Sequence, residues 1–260
     1  MITSPQNPKI KTIRHLQNRS KAREETGAFV IEGIRLMEEA QLSGWEPELV
    51  LYTGNLDPRG DGLVESFRES GVQVEKVSSG VMEAASDTHT PQGLLAVLPL
   101  RRQPQPRKLD FVIIADQIRD PGNLGTLLRT ALAAGADAVF MPPGTADPFS
   151  PKVVRAGMGA HFRLPLAKIE WAEIKERLRG LTIYEAESGS GEDYAAVDLT
   201  RPLALIIGSE TRGPGQTSHQ LADRTLHIPM PGPAESLNAA VAGAVLIFEV
   251  VRQRRTASHA

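Results

Sequence analysis

FVIIADQIRDPGNLGTLLRTALAAGADAVFM, Phe111–Met141, is the stretch that decides the fold. FVIIAD is a continuous apolar run of the kind buried inside a parallel sheet, whose two faces are both covered. The loop QIRDPGN follows, then a helix from about Leu124 to Ala134, with Gly135 as its stop and ADAVFM as the next strand. Strand, helix and strand in that order make a βαβ unit. Leu124, Leu127, Leu128 and Ala131 share one helical face and pack on the sheet, while Arg129 falls well away from that stripe, toward solvent or a cleft. Gly122, Asn123 and Gly125 form a tight polar turn at the helix N-terminus, where free backbone N–H groups favour an anion. Neither the dinucleotide fingerprint G-x-G-x-x-G nor the Gly-Lys-Ser/Thr of a P-loop is present, which disfavours a nicotinamide cofactor. Taken alone, the segment reads more simply as a capped helix with an exposed arginine.

Downstream, helices over 151–158 and 170–180, strands LTIYEA (181–186) and PLALIIGSE (202–210), and a long helix from 236 continue the alternation. An α/β domain with a mostly parallel sheet is the expected architecture. Gly208, Gly213 and Gly215 follow a buried strand, with Glu210 among them. A loop at the C-terminal end of a parallel strand lies where open α/β sheets bind ligands, and glycine lets its backbone approach one closely. IPMPGPAESLN, Ile228–Asn238, puts three prolines and a glycine ahead of the apolar helix, with Ser236 and Asn238 at the junction.

Upstream, RRQPQPRK (101–108) is rich in proline and charge and reads as a linker, which sets a domain boundary near residue 105. Before it, GAFVIEG, ELVLYTG, VQVEKV and GLLAVLPL read as strands and GLVESFRESG as an amphipathic helix, the pattern of a small α/β domain over residues 1–105. Residues 106–260 form the second domain.

The 260 residues carry a formal net charge of −2, yet Lys9, Lys11, Arg14, Arg19, Lys21 and Arg23 precede any acidic residue. That cluster is either solvated surface or a phosphate contact. Cysteine is absent, which excludes disulfides and thiolate chemistry, and the six histidines show no metal-ligand spacing, so no metal is expected. The N-terminus lacks the apolar core of a signal peptide, and the longest apolar run, within 239–251, is too short for a bilayer. A soluble cytoplasmic protein is expected, with no membrane partner.

Together the three loops resemble the SpoU family of RNA ribose 2′-O-methyltransferases, of the knotted SPOUT superfamily. Its first motif, Asn-x-Gly-x-x-x-Arg-x-Ala, appears as Asn123, Gly125, Arg129 and Ala131. The second, Gly-x-Glu-x-x-Gly, appears as Gly208, Glu210 and Gly213. The third appears as Ile228, Pro229, Met230, Gly232, Ser236, Leu237 and Asn238. Residues 4–40 and TPQGLLAV (90–97) resemble the ribosomal-protein-like substrate-binding domain found ahead of the catalytic domain in many of these enzymes.

The resemblance implies a trefoil-knotted catalytic domain that binds S-adenosyl-L-methionine through Gly208, Ile228, Met230, Gly232 and Leu237. It implies catalytic roles for Asn123, Arg129, Glu210, Ser236 and Asn238, RNA contacts at Lys9, Arg23 and Arg35, and a homodimer. The attached first domain favours ribosomal over transfer RNA as the substrate. The alternatives are a tRNA methyltransferase or an RNA-binding, ribosome-assembly protein that has kept the fold without transfer. Ala239-Ala240 and Gly157 depart from the family's usual Val-Ser and serine, keeping the residues small.

Overall fold

The computed structural model describes residues 1–101, 103–209 and 213–257. The first part of the chain runs α1 (Pro8–Asn18), α2 (Ser20–Thr26), β1 (Ala28–Glu32), α3 (Ile34–Leu42), β2 (Leu49–Tyr52), α4 (Pro58–Glu69), β3 (Gln73–Lys76), α5 (Ser79–Ala85) and β4 (Leu94–Pro99). The second runs β5 (Phe111–Ala115), α6 (Pro121–Ala133), β6 (Ala138–Met141), α7 (Pro151–Gly157), β7 (Leu166–Lys168), α8 (Trp171–Arg177), β8 (Thr182–Ala186), β9 (Glu192–Asp193), β10 (Leu203–Ile207), α9 (Gln216–Leu221), β11 (Arg224–His227) and α10 (Ala239–Ala257).

Two compact units result: Met1–Arg101 together with Phe149–Phe162, and the remaining residues. The first holds a four-stranded sheet ordered β1-β4-β2-β3. Strands β1 and β2 run antiparallel to β4, and β3 is parallel to β2. Side chains alternate across this sheet with the period of two that a pleated strand imposes. Phe29, Ile31, Leu94, Ala96 and Leu98 pack with α3 and α4 on one face. Ala28, Val30, Leu95 and Val97 pack with α1 and α5 on the other. Residues 149–162 do not follow the boundary near residue 105: Val154 and Phe162 are buried in the first unit's core. Trp45 Nε1 donates to the Phe162 carbonyl at 3.2 Å, and the Trp45 and Phe162 rings lie edge-on, 5.4 Å apart. These apolar side chains find their burial beside Phe29 and Trp45, which outweighs their position in the chain.

The second unit is built on a seven-stranded sheet ordered β7-β6-β5-β10-β8-β11-β9, and every pairing in it is parallel. β5 and β10 are buried along their whole length, as their unbroken apolar sequences require. Val112, Ile114, Phe140, Ile183, Ala204 and Ile206 form a core with Ile174 of α8 and Leu178 just past its end. On α10, a side chain at Gly243 would come within 2.7 Å of Leu127 Cδ1 and 3.6 Å of Ile207, so glycine lets α10 seat against α6 and β10. Helix α6 starts at Pro121, three residues earlier than the apolar pattern alone indicates, because Asp120 caps it and proline suits its first position. Among the described residues no helix is long and apolar enough to cross a membrane.

Candidate active site

The ends of β8, β10 and β11 open into loops on the carboxyl side of the parallel sheet. Ala186, Glu187 and Ser188 leave β8, Gly208, Ser209 and Gly213 follow β10, and Ile228, Met230, Ser236 and Leu237 follow β11; all line one cleft. Ala239, Ala242 and Leu246 of α10 close its wall beside Ile207 and Leu226.

Its walls are set by backbone as much as by side chains. A Cβ on Gly208 would lie 2.4 Å from Pro214 N and 2.7 Å from Gly213 C, so the two stems of the β10 loop touch in a way only glycine permits. An antiparallel bridge between Ser209 and Gly213, with Gly213 N donating to Ser209 O at 2.9 Å, closes the loop. Small residues on α10 and apolar side chains from β10, β11 and the 228–237 loop suit a flat aromatic ring, while exposed loop amides and Glu187 can meet polar edges. Those surfaces fit S-adenosyl-L-methionine.

Asn238 does two jobs at the mouth of α10. Its Oδ1 accepts from Ala240 N at 3.0 Å and Val241 N at 3.2 Å, capping the helix, so α10 begins at Ala239 and not at 236. Its Nδ2 donates to Asn123 Oδ1 at 3.0 Å, joining the loop ahead of α10 to the first turn of α6, 115 residues away. The N-terminus of α6 is not an open anion site: Asp120 Oδ1 takes the Asn123 N–H at 2.9 Å, and its negative charge stands where an anion would sit. Arg129 lies on the exposed side of α6, outside the cleft lining, and among the described residues nothing holds its guanidinium. Gly232 is exposed and off the lining. Glu210 lies outside the described residues.

Beneath the β10 loop is a second polar group that the sequence reading passed over. Asp116, 1% exposed at the end of β5, accepts from Gly215 N at 2.8 Å and Ser218 Oγ at 2.9 Å. Glu185 of β8 is fully buried, and its Oε2 meets His219 Nδ1 at 2.7 Å. Burial pushes the Glu185 carboxyl up, a rise that the bond to His219 offsets only in part, and the same bond raises the His219 imidazole above its ordinary value. Glu187 and Ser188 were also missed; their position just past a parallel strand was the signal that could have found them.

In the first unit, Arg35 is exposed beside Thr88, Thr90, Gln92 and Arg155 in a surface groove. Lys9 is half-exposed and ion-paired with Glu75. Arg23 does not reach the surface: it is 4% exposed, and its guanidinium donates to the carbonyls of Leu16 and, at 3.1 Å, Gln17. It satisfies carbonyls left over at the end of α1, which removes it from the RNA-contact set. Among the described residues no group of histidine, aspartate and glutamate is arranged to hold a metal.

These features define a parallel α/β domain with a preformed cleft for a small organic cofactor. Residues 110–248 match the SpoU rRNA methylase family, and residues 7–96 match an MRM3-like substrate-binding domain. The chain is 35% identical to the Bacillus subtilis 23S rRNA (guanosine(2553)-2′-O)-methyltransferase RlmP, over 96% of its own length and 98% of that protein's. It is 32% identical to the Streptomyces viridochromogenes 23S rRNA (uridine(2479)-2′-O)-methyltransferase, over 92% and 87%. The AdoMet-bound rRNA methyltransferase of Sinorhizobium meliloti superposes with a TM-score of 0.85 at 31% identity, covering 96% of this chain and 97% of that one. The chain belongs to the SpoU rRNA methylase family.

Proposed function

We propose that this protein transfers a methyl group from S-adenosyl-L-methionine to a ribose 2′-hydroxyl of ribosomal RNA. The observation that carries the reading is the cleft at the ends of β8, β10 and β11, bounded by glycine and proline loops and tied to the α6 N-terminus through Asn238 and Asn123. Full-length relatives named for 2′-O-methylation of 23S rRNA support that substrate.

When bound, the cofactor supplies an activated methyl group on a sulfonium. The apolar wall of Ile207, Leu226, Ile228 and Leu246 excludes water from the cofactor's ring, and the Gly208 and Leu237 backbone orients it. Asn123 and Asn238, bonded to each other, orient the ribose beside Ser236 of the cleft lining, and the family resemblance gives Glu210 a role in the same step. Arg129 stays free to engage the RNA phosphate and stabilise the developing alkoxide, a task that suits a guanidinium better than proton abstraction does. Arg35 and Lys9 of the first unit contact the RNA.

The finer architecture belongs to the same reading. The β10 and β11 loops thread into a trefoil knot, a rarity among proteins. The protein acts in the cytoplasm as a homodimer: Val241 and Phe248, seven residues apart on one face of α10, are 49% and 47% exposed and offer an apolar stripe to a second copy.

The test is to map ribose methylation in ribosomal RNA from cells with and without the protein, alongside titration of the pure protein with S-adenosyl-L-methionine. One site lost on deletion, and restored by the wild-type chain but not by Arg129→Ala, is the expected result. An unchanged methylation map, or no cofactor uptake, overturns the reading.

A further inference from the structure

We propose that Asp116 is a positioning residue for the transfer reaction, anchoring the exit stem of the β10 loop so that Gly208, Ser209 and Gly213 keep the shape of the cofactor cleft. The inference rests on the cofactor reading above and extends it to a residue outside the cleft lining.

Asp116 stands at the end of β5, where its own N–H is spent on Ile207 O at 2.9 Å, the last residue of β10. The strand end is therefore fixed, and the carboxylate projects from it into a region almost closed to solvent. A carboxylate in such a place is costly unless donors meet it. Its Oδ2 has two partners, Gly215 N at 2.8 Å and Ser218 Oγ at 2.9 Å. The Ser218 hydroxyl also lies 2.7 Å from Gly215 O, so its single proton is shared between that carbonyl and the carboxylate, and the hydroxyl sits against the same Gly215 backbone that Asp116 holds. Charge-assisted bonds of this kind are stronger than neutral ones.

The neighbourhood leaves Gly215 little freedom. A Cβ there would lie 2.8 Å from Gln117 Nε2 and 3.3 Å from Asp116 Oδ2. Gln117 is itself held in a left-handed conformation, φ 53°, which few non-glycine residues adopt. Its N–H donates to Thr145 Oγ1 at 3.1 Å, and that hydroxyl donates to Ala115 O at 2.7 Å. Such strain persists only where the surroundings over-determine it, and it marks the junction from which the chain runs to Asn123.

The loop is thus pinned at both feet. At its entrance, Gly208 is pressed against Gly213 and Pro214; at its exit, Gly215 is held by Asp116. Gly208, Ser209 and Gly213 line the cleft, whereas Gly215 does not. Releasing the exit lets Pro214 back away from Gly208 and opens the cleft wall without removing any atom from it.

The test compares Asp116→Ala, Asp116→Asn and Ser218→Ala in the full-length protein, well below each variant's unfolding temperature. Asp116→Ala is expected to weaken S-adenosyl-L-methionine binding about tenfold or more, the scale of one charge-assisted hydrogen bond. The KM for the cofactor rises with it, while the KM for RNA stays unchanged. Asp116→Asn, which keeps an acceptor oxygen for Gly215, restores binding to within about threefold of the parent, and Ser218→Ala falls between.

A carboxylate with only a bulk structural role would lower the active fraction without changing the cofactor KM. Amide exchange at Gly213 and Gly215 supplies an arm that needs no cofactor: it accelerates in Asp116→Ala and not in Asp116→Asn. Parent-like cofactor affinity in Asp116→Ala, or unchanged exchange at those amides, overturns the proposal. If the parent itself takes up no cofactor, the functional reading falls and the exchange arm still decides on the anchor.

Discussion

Asn238 shows how much a single amide can settle. One end caps α10 and the other is bonded to Asn123, so the side chain fixes a helix start and a loop spacing at once. Replacing it with alanine is expected to cost about 1–2 kcal/mol of stability through the lost cap, read by denaturant melts. Transfer should fall further than stability, because Asn123 loses the Asn238 amide that helps to orient it. Gly208→Ala makes a complementary case. The added methyl would meet backbone at 2.4 Å, which cannot give way as a side-chain tip can, so the β10 loop must shift. Cofactor affinity should drop at least about tenfold, roughly 1.4 kcal/mol, measurable by calorimetry. Both residues were legible in the sequence as members of short polar and glycine-rich loops; what was not legible is that Asn238 is spent on helix and loop. Arg23 reads the same way, since charge alone cannot distinguish a surface arginine from one turned onto the carbonyls of Leu16 and Gln17.

Helices and strands were legible where their patterns are long. FVIIA and LALII are buried along their whole length and α6 along one stripe, and all three occur as expected. The short pieces were missed for a physical reason. Strands β7, β9 and β11 and helix α9 bury at most one residue each, so they carry no apolar run or stripe to read, and α5 buries three within only seven residues. Their form is dictated by the neighbours they dock on. Helix α6 offers two tests at this scale. Asp120→Ala removes its cap and should cost about 1 kcal/mol. Leu127→Ala empties a fully buried position beside Gly243 and should cost about 2–5 kcal/mol, the spread depending on how far α10 can settle into the gap. Thermal and denaturant unfolding measure both.

At the scale of the whole molecule, the Glu185–His219 pair gives stability a pH dependence. Both groups are raised in the fold, so the folded protein holds protons more tightly than the unfolded chain. The histidine's contribution is fully present below its ordinary value near 6.5 and is lost as pH rises through its elevated one. Above that, a buried carboxylate faces a neutral ring. Melting temperature should therefore decline over this window, and His219→Gln should flatten the decline. The division of the chain was only partly legible, because nothing in the sequence of residues 149–162 says where their apolar side chains will be buried.

That placement has a practical consequence. The polypeptide crosses between the two units three times, after residues 101, 148 and 162, so severing the proline-rich connector does not yield two self-sufficient proteins. A fragment ending at Arg101 lacks Val154 and Phe162 and leaves Phe29 and Trp45 bare, which favours aggregation on expression alone. A chain nicked within 103–108 keeps that core filled, and its two pieces should travel together through gel filtration until a denaturant frees them.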